Sequence, residues 1–372
     1  MFTAASETVV GASVSSVTLV DLSEEVRDLE LSFVNLLFDG SNPPNEVDES
    51  ERTEAFYNGT RVWIEWKLTL DESFENVASA SDIAAVRERV RQLVLLLKCN
   101  NKTGDVRAPR CLGYFEDESD DYDHRFGLVF EKPASVPRTA SLVSLHDMLL
   151  DNTSEHRKGD VPSLTHRLAL MRILAENLER AHSLGWLHKD LRSNNILFFK
   201  DTPETDAVLS EPYISGFDYS RLDIKDDLTI TYRPLLGMHD MFKNIYRHTL
   251  VLSEGNGASK ITHDWYSFGI VLLEIALWMP IDSILMIDLE RARFQQVWLV
   301  KERLLKTEPQ HLKLVRSLLG NTVESVIRVC LEGSVALGFD DSCDEDKIEV
   351  KIDLKEKYHE LVVEKLVQIE GV

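Results

Sequence analysis

Residues 188–198 read HKDLRSNNILF, which puts an acid (Asp190), a cation two places on (Arg192) and an amide (Asn195) into one short loop. Upstream, 164–184 carry apolar residues at helical spacing. Downstream, Ile196-Leu197-Phe198-Phe199 is an apolar run of strand length. A helix that empties into a polar loop and leaves as a buried strand ties that loop to the rim of a core. No other segment limits the fold as tightly. The three side chains are also the parts that phosphoryl transfer needs: a carboxylate to accept a hydroxyl proton, a cation beside the moving phosphate, and an amide oxygen for Mg²⁺.

A second landmark follows at 264–279, DWYSFGIVLLEIALWM. It is apolar on nearly all sides, so a buried central helix is expected, with Asp264 at its start in a capping position.

Before these landmarks the chain is patterned for a sheet. Residues 1–20 are small and weakly patterned and read as a loose tail. From 21 to 37, Leu22, Val26, Leu29, Leu31, Val34, Leu36 and Leu37 roughly fit a helix face. An acidic, polar loop is expected over 40–54. Asn58-Gly59 then marks a hairpin between Phe56-Tyr57 and the run 61–67, RVWIEWK. Alternation puts Val62, Ile64 and Trp66 on one face and Trp63, Glu65 and Lys67 on the other. Asp82 can cap a helix over 83–97 with a stripe through Val86, Val90, Leu93, Val94 and Leu97. Strands are expected near 111–115 and 127–131, separated by EDESDDYD (116–123), which reads as a solvated turn. Beyond about 140 the pattern is mainly helical, with amphipathic helices at 312–331 and 354–369.

With 372 residues, 44% hydrophobic and 28% charged, the chain can bury a sizeable core. A net charge of −22 argues against nucleic acid as a partner and against a standing attraction to anionic membranes. Cys99, Cys111, Cys330 and Cys343 have no metal-ligand spacing and read as reduced thiols of a cytoplasmic protein. The start of the chain lacks the basic and apolar regions of a signal peptide, and no stretch is long enough to span a bilayer.

The loop at 188–195, with Lys189 where Arg is usual and Arg192 where Lys is usual, resembles the catalytic loop of the eukaryotic protein kinase family. Asp264-Trp265-Tyr266-Ser267-x-Gly269 follows in the matching order. Together WIEWK, FGLVFEKP, HKDLRSNNILF, YRH and DWYSFGIVLLEIALW look like a group of divergent filamentous-fungal kinase-like domains. In that group the kinase-like part often follows a helical domain of the heterokaryon-incompatibility and prion-propagation type, and the first 20 to 40 residues could be a remnant of one. The resemblance covers roughly 50–370.

It implies an α+β, two-lobed fold: a small antiparallel-sheet N-lobe with one helix over 21–133, and a larger helical C-lobe over 134–372 that carries the loop at 188–199. It also implies roles. Asp190 would be the base and Arg192 would neutralise the γ-phosphate. Asn195 would hold a metal, and Lys67 and Glu131 would contact nucleotide. Asp264 would anchor the loop backbone from below. ATP is the implied cofactor, with a protein partner or protein substrate.

Several family parts are altered. No G-x-G-x-x-G precedes the Lys67 strand. On the next helix the slot for a partner glutamate falls on Arg89, beside Glu88. Gly216-Phe217-Asp218 stands where Asp-Phe-Gly is usual, which removes a carboxylate from the Mg²⁺ site. Asp218 becomes the candidate substitute for metal and nucleotide, and Gly216→Asp is expected to strengthen metal–nucleotide binding. No Ala-Pro-Glu lies between Arg221 and Asp264. Three readings stay open. One is a pseudokinase acting as a binding or signalling module with weak or metal-independent nucleotide binding. Another is an active divergent kinase in which Asp218 or Glu65 supplies the carboxylate. The third is a small-molecule phosphotransferase.

Overall fold

The computed structural model describes residues 29–38, 52–68, 80–117, 125–137, 139–153, 161–201, 208–217, 238–254, 260–289, 291–340 and 343–369. The class is α+β with antiparallel sheets. Strands β1 (Leu36–Phe38), β2 (Arg52–Tyr57) and β3 (Thr60–Leu68) come first. Helix α1 (Ala80–Thr103), β4 (Arg110–Asp117) and β5 (Arg125–Glu131) follow. The five strands form one sheet in the order β1-β2-β3-β5-β4.

The β2–β3 hairpin turns at Asn58 and Gly59, both left-handed (φ 49° and 77°), the geometry whose twist matches the flanking strands. That turn sets the register. Tyr57 faces Thr60, and counting back along the strands Arg52 faces Glu65.

β3 is buried on both faces, each against its own cluster. Val62, Ile64 and Trp66 pack with Leu36, Ala55, Phe115 and Val129. Trp63 stacks on Phe130 and meets Phe199 edge-on, joining the main core. The stripe Val86, Val90, Leu93, Val94 and Leu97 is buried as expected, and α1 extends past 83–97 at both ends.

Three local expectations are corrected. Over 29–37, the part of the expected 21–37 helix that the structure describes, there is no α-helix; residues 21–28 lie outside the described residues. Phe33–Asn35 is a short 3-10 turn and Leu36–Phe38 is a strand. Apolar residues are so dense there that periodicity could not choose, and the sheet offers backbone partners: Leu31 N–H donates to the Tyr114 carbonyl at 2.6 Å. The polar loop expected over 40–54 is strand from Arg52 onward. Within the acidic run at 116–123, Glu116 and Asp117 belong to β4. Glu116 pairs with Arg87, and Asp117 makes a buried ion pair with Arg125 at 2.9 Å. The rest of that run lies outside the described residues.

After β5 the chain is mostly helical, but it carries a small second sheet in sequence order, β6 (Ser141–Ser144), β7 (Ile196–Lys200) and β8 (Tyr213–Ile214), of which β7 is the strand expected after the loop and its two partners were not expected. The helices are α2 (Leu145–Thr153), which packs on β6 and β7, α3 (Leu164–Ser183), α4 (Met238–Ile245), α5 (Thr249–Glu254) and α6 (Ile261–Leu277). Every residue of α6 except Leu277 is buried. The helix at Gln310–Glu332 packs against α6 and breaks its helical geometry at Gly320. The C-terminal helices Ile348–Tyr358 and Glu364–Val367 are joined by a wider π turn. Among the described residues no helix is long and apolar enough to cross a membrane.

Candidate functional site

The loop after α3 is held from below by one carboxylate. Asp264, buried in the first turn of α6, accepts backbone N–H bonds from His188 (2.7 Å) and Lys189 (2.9 Å) and faces His182 Nε2 at 3.0 Å. Burial alone would raise its pKa. The His182 hydrogen bond, helped by the bond from the His188 backbone N–H, outweighs that, so Asp264 sits below the ordinary carboxylate range. Lys189 is in the left-handed region (φ 66°), a strain of about 1–3 kcal/mol for a non-glycine residue that the clamp on its N–H sustains. The His188 ring contacts the Ser215 carbonyl at 3.1 Å, and burial lowers its pKa, keeping it neutral.

Above this clamp the structure brings Asp190, Arg192 and Asn195 together. Arg192 Nε donates to Asp190 Oδ2 at 3.0 Å, and Asn195 Nδ2 donates to the same oxygen at 3.0 Å and to the Asp190 carbonyl at 2.8 Å. Asp190 is buried, which raises its pKa. Arg192, Lys243, Arg247 and Lys67 more than reverse this and bring it to about 2. Asp190 is therefore an anion at neutral pH, chemically fit to accept a proton only weakly, since an efficient base has a pKa nearer the working pH.

Packed beside this loop is Glu65 on β3. Its carboxylate accepts from Arg52 Nε (2.8 Å), from the Ser215 hydroxyl and from Gly216 N–H (3.1 Å). Burial pushes its pKa up, and Arg52, Ser215 and Lys67 together bring it below the ordinary range. Arg52 also reaches the loop itself. Nη1 donates to the Asn194 carbonyl at 3.0 Å and Nη2 to Asn195 Oδ1 at 3.1 Å. A continuous polar chain thus runs from β2 through β3 to the Ser215-Gly216 segment and back to Asp190.

Lys67 is buried on the same face as Glu65, near enough to act on Glu65, His188 and Asp190. Glu131 ends β5 on the other side of β3, and its carboxylate is held by Arg110 at 2.6 Å. Asp218 lies outside the described residues.

The metal implied by the resemblance meets two obstacles. Gly216 has φ +70°, and a Cβ there would fall inside the Asn195 side-chain amide. A carboxylate cannot be restored at 216 without moving Asn195, which stands against the expectation that Gly216→Asp would strengthen metal binding. The oxygen of Asn195 that would ligate a metal is already taken by Arg52. Among the described residues no group of three or more His, Cys, Asp or Glu is placed to hold a metal ion. The described side chains do not fit a bound Mg²⁺.

Sequence reasoning did not single out Arg52, Ser215 or the Asp264 partner His182. For Arg52 a signal existed: the two-residue turn at Asn58-Gly59 already sets it opposite Glu65. Compared with known proteins, the chain matches no family and no curated protein.

Proposed function

We propose that this chain is a divergent protein-kinase-like domain that acts as a binding or signalling module, with its phosphotransfer site converted into a structural network. The clamp of Asp264 on the His188–Lys189 backbone and the acid–amide loop at Asp190 and Asn195 support the kinase-like part of this reading. The non-catalytic part is carried by one observation, the contact of Gly216 with Asn195. Position 216 carries no carboxylate, and a side chain there would meet the Asn195 amide.

The active-kinase alternative needs Glu65 or Asp218 as substitute ligand, and Glu65 is engaged by Arg52, Ser215 and Gly216. With the nucleotide machinery altered, ATP is at most a weak or metal-independent ligand here. The reading expects a protein partner and a cytoplasmic setting.

The test uses the purified chain with γ-labelled ATP, Mg²⁺ or Mn²⁺ and a generic protein substrate, beside Asp190→Asn. The expected result is no transfer above the variant, and no metal-dependent thermal stabilisation by ATP. A true ligand at a hundredfold excess over its Kd would add about 2.7 kcal/mol. Metal-dependent transfer by the wild type that Asp190→Asn abolishes would overturn the proposal.

A further inference from the structure

Trp63, Glu65 and Lys67 alternate along one face of β3, and all three are buried. Glu65 is held by polar groups, Trp63 by rings. The indole stacks on Phe130 of β5, with centroids 5.6 Å apart and planes 20° apart, and it meets Phe199 of β7 edge-on at 5.9 Å. Phe199 in turn meets Tyr213 of β8 edge-on at 5.7 Å. One indole, 1% exposed, thus bridges the five-stranded sheet to the three-stranded one.

Strand register fixes where this ring stands. Trp63 is paired with Phe130 and its neighbour Val62 with Glu131, while Lys67 is paired with Phe126. Lys67 and Glu131 are the nucleotide contacts that the kinase resemblance implies. Four residues of strand carry the chain from Trp63 to Lys67, about 13 Å at about 3.3 Å per residue. A nucleotide with its phosphates at Lys67 and its base toward Glu131 would have to lie along this face, over Glu65 and onto Trp63.

We propose that Trp63 is a built-in aromatic plug, a side-chain ring standing in the position of a nucleotide base, so that this chain shuts out nucleosides whatever their phosphate or metal state. This deepens the kinase-like, non-catalytic reading and rests on it. Indole and purine share a planar skeleton of fused five- and six-membered rings. Stacking on one ring with an edge contact to another is how such a skeleton is held between aromatic side chains. Trp63 Nε1 is also buried with no hydrogen-bond partner among the described residues. A buried donor left unpaired is costly, and an apolar side chain would fill an apolar gap without that cost. The position therefore holds a nitrogen-bearing bicycle where a cheaper filler would serve packing alone. A tethered ring loses no translational freedom on seating, so a free base of the same shape competes at a disadvantage.

The experiment titrates adenosine, with no metal, into the full chain and reads thermal shift and saturation-transfer NMR of the ligand. Wild type should show no saturable binding at millimolar adenosine. Trp63→Ala should gain a saturable site, roughly tenfold or more tighter than any wild-type binding, because a base can then stack on Phe130. Trp63→Phe keeps a ring in the gap and should stay shut. Phe199→Ala, at a half-buried position, loosens the contact but keeps the plug and should gain nothing. If Trp63→Ala folds poorly, adenosine should restore its cooperative melt.

A folded Trp63→Ala chain that binds adenosine no better than wild type would overturn the inference, as would an unfolded one that adenosine fails to rescue. Saturable adenosine binding by wild type, or by Phe199→Ala as tightly as by Trp63→Ala, would overturn it too. So would a Trp63→Ala cavity that takes indole and leaves adenosine out. Adenosine has no phosphate to transfer, so each of these results is separate from phosphoryl transfer by the wild type, which alone decides the non-catalytic reading.

Discussion

Gly216 lies against the side-chain amide of Asn195 so closely that even a methyl group at 216 would overlap it. The contact brings together the segment after β8 and the loop before β7, and it needs a residue with no side chain in a left-handed conformation, φ +70°. Gly216→Ala should therefore destabilise the chain on two grounds, about 1–3 kcal/mol for backbone strain and about 1–3 kcal/mol for overpacking. Gly216→Asp should be worse and should gain no metal affinity. Urea unfolding of the three proteins checks this. A Gly216→Asp chain as stable as wild type would show that the two segments are not in contact.

Asp264 and His188 give a second prediction. Asp264→Ala strands two backbone N–H groups and the buried His182 ring. Each lost partner costs about 1–3 kcal/mol, so a fall in melting temperature of many degrees is expected. Asp264→Asn keeps one acceptor oxygen and should fall between. An Asp264→Ala chain that melts with the wild type would mean that the clamp holds nothing.

Much of this arrangement was legible in the residues. The Asn58-Gly59 turn, the alternation along 61–67, the stripe on α1 and the all-apolar helix at 264–279 are local patterns with few competing structures. Asp264's buried role was also legible, because a carboxylate at the head of an apolar helix needs donors. The edge strand at Leu36–Phe38 was not, since dense apolar residues satisfy helix and strand spacing alike. Nor was the fate of the acidic run, where Asp117 is buried only because Arg125 comes back across the sheet to meet it. The Arg52–Glu65 pair follows from the hairpin, but the meeting of Arg52 with Asn195 joins segments about 140 residues apart, and no local pattern predicts that encounter.

Acid should weaken the protein through Asp190. Its folded pKa of about 2 lies below the ordinary 3.8, so its contribution is complete above 3.8 and is lost as pH falls through about 2. Asp190→Asn forfeits that contribution at neutral pH and leaves Arg192 buried beside a neutral amide, a loss of about 3–5 kcal/mol when one partner of a buried pair is removed. The gap between wild type and variant should narrow steadily as pH drops toward 2. A gap independent of pH would show that Asp190 is not held by its cations.

The alkaline side should be set by Glu274, inside α6. Its Oε1 accepts from Tyr246 O–H at 2.7 Å and from Ile281 N–H at 2.9 Å, while Oε2 is buried with no hydrogen-bond partner among the described residues. Tyr246 in turn contacts the Ser193 hydroxyl at 2.9 Å, so this acid connects to the Asp190 loop. Burial pushes its pKa up to about 8, against an ordinary 4.5. Between those values the folded chain holds one proton more than the unfolded chain. Its contribution is therefore complete below 4.5, declines by about 1.4 kcal/mol per pH unit above that, and is gone once pH passes about 8. Glu274→Gln mimics the protonated form, keeping an acceptor for Tyr246 and Ile281 without a charge to lose. Urea unfolding at intervals from pH 5 to pH 9 should show wild-type stability falling relative to the variant until about pH 8 and running parallel beyond it. Parallel curves across the whole range would mean that Glu274 is ionised in the folded protein at neutral pH, and that the Ser193–Tyr246–Glu274 chain carries a buried charge.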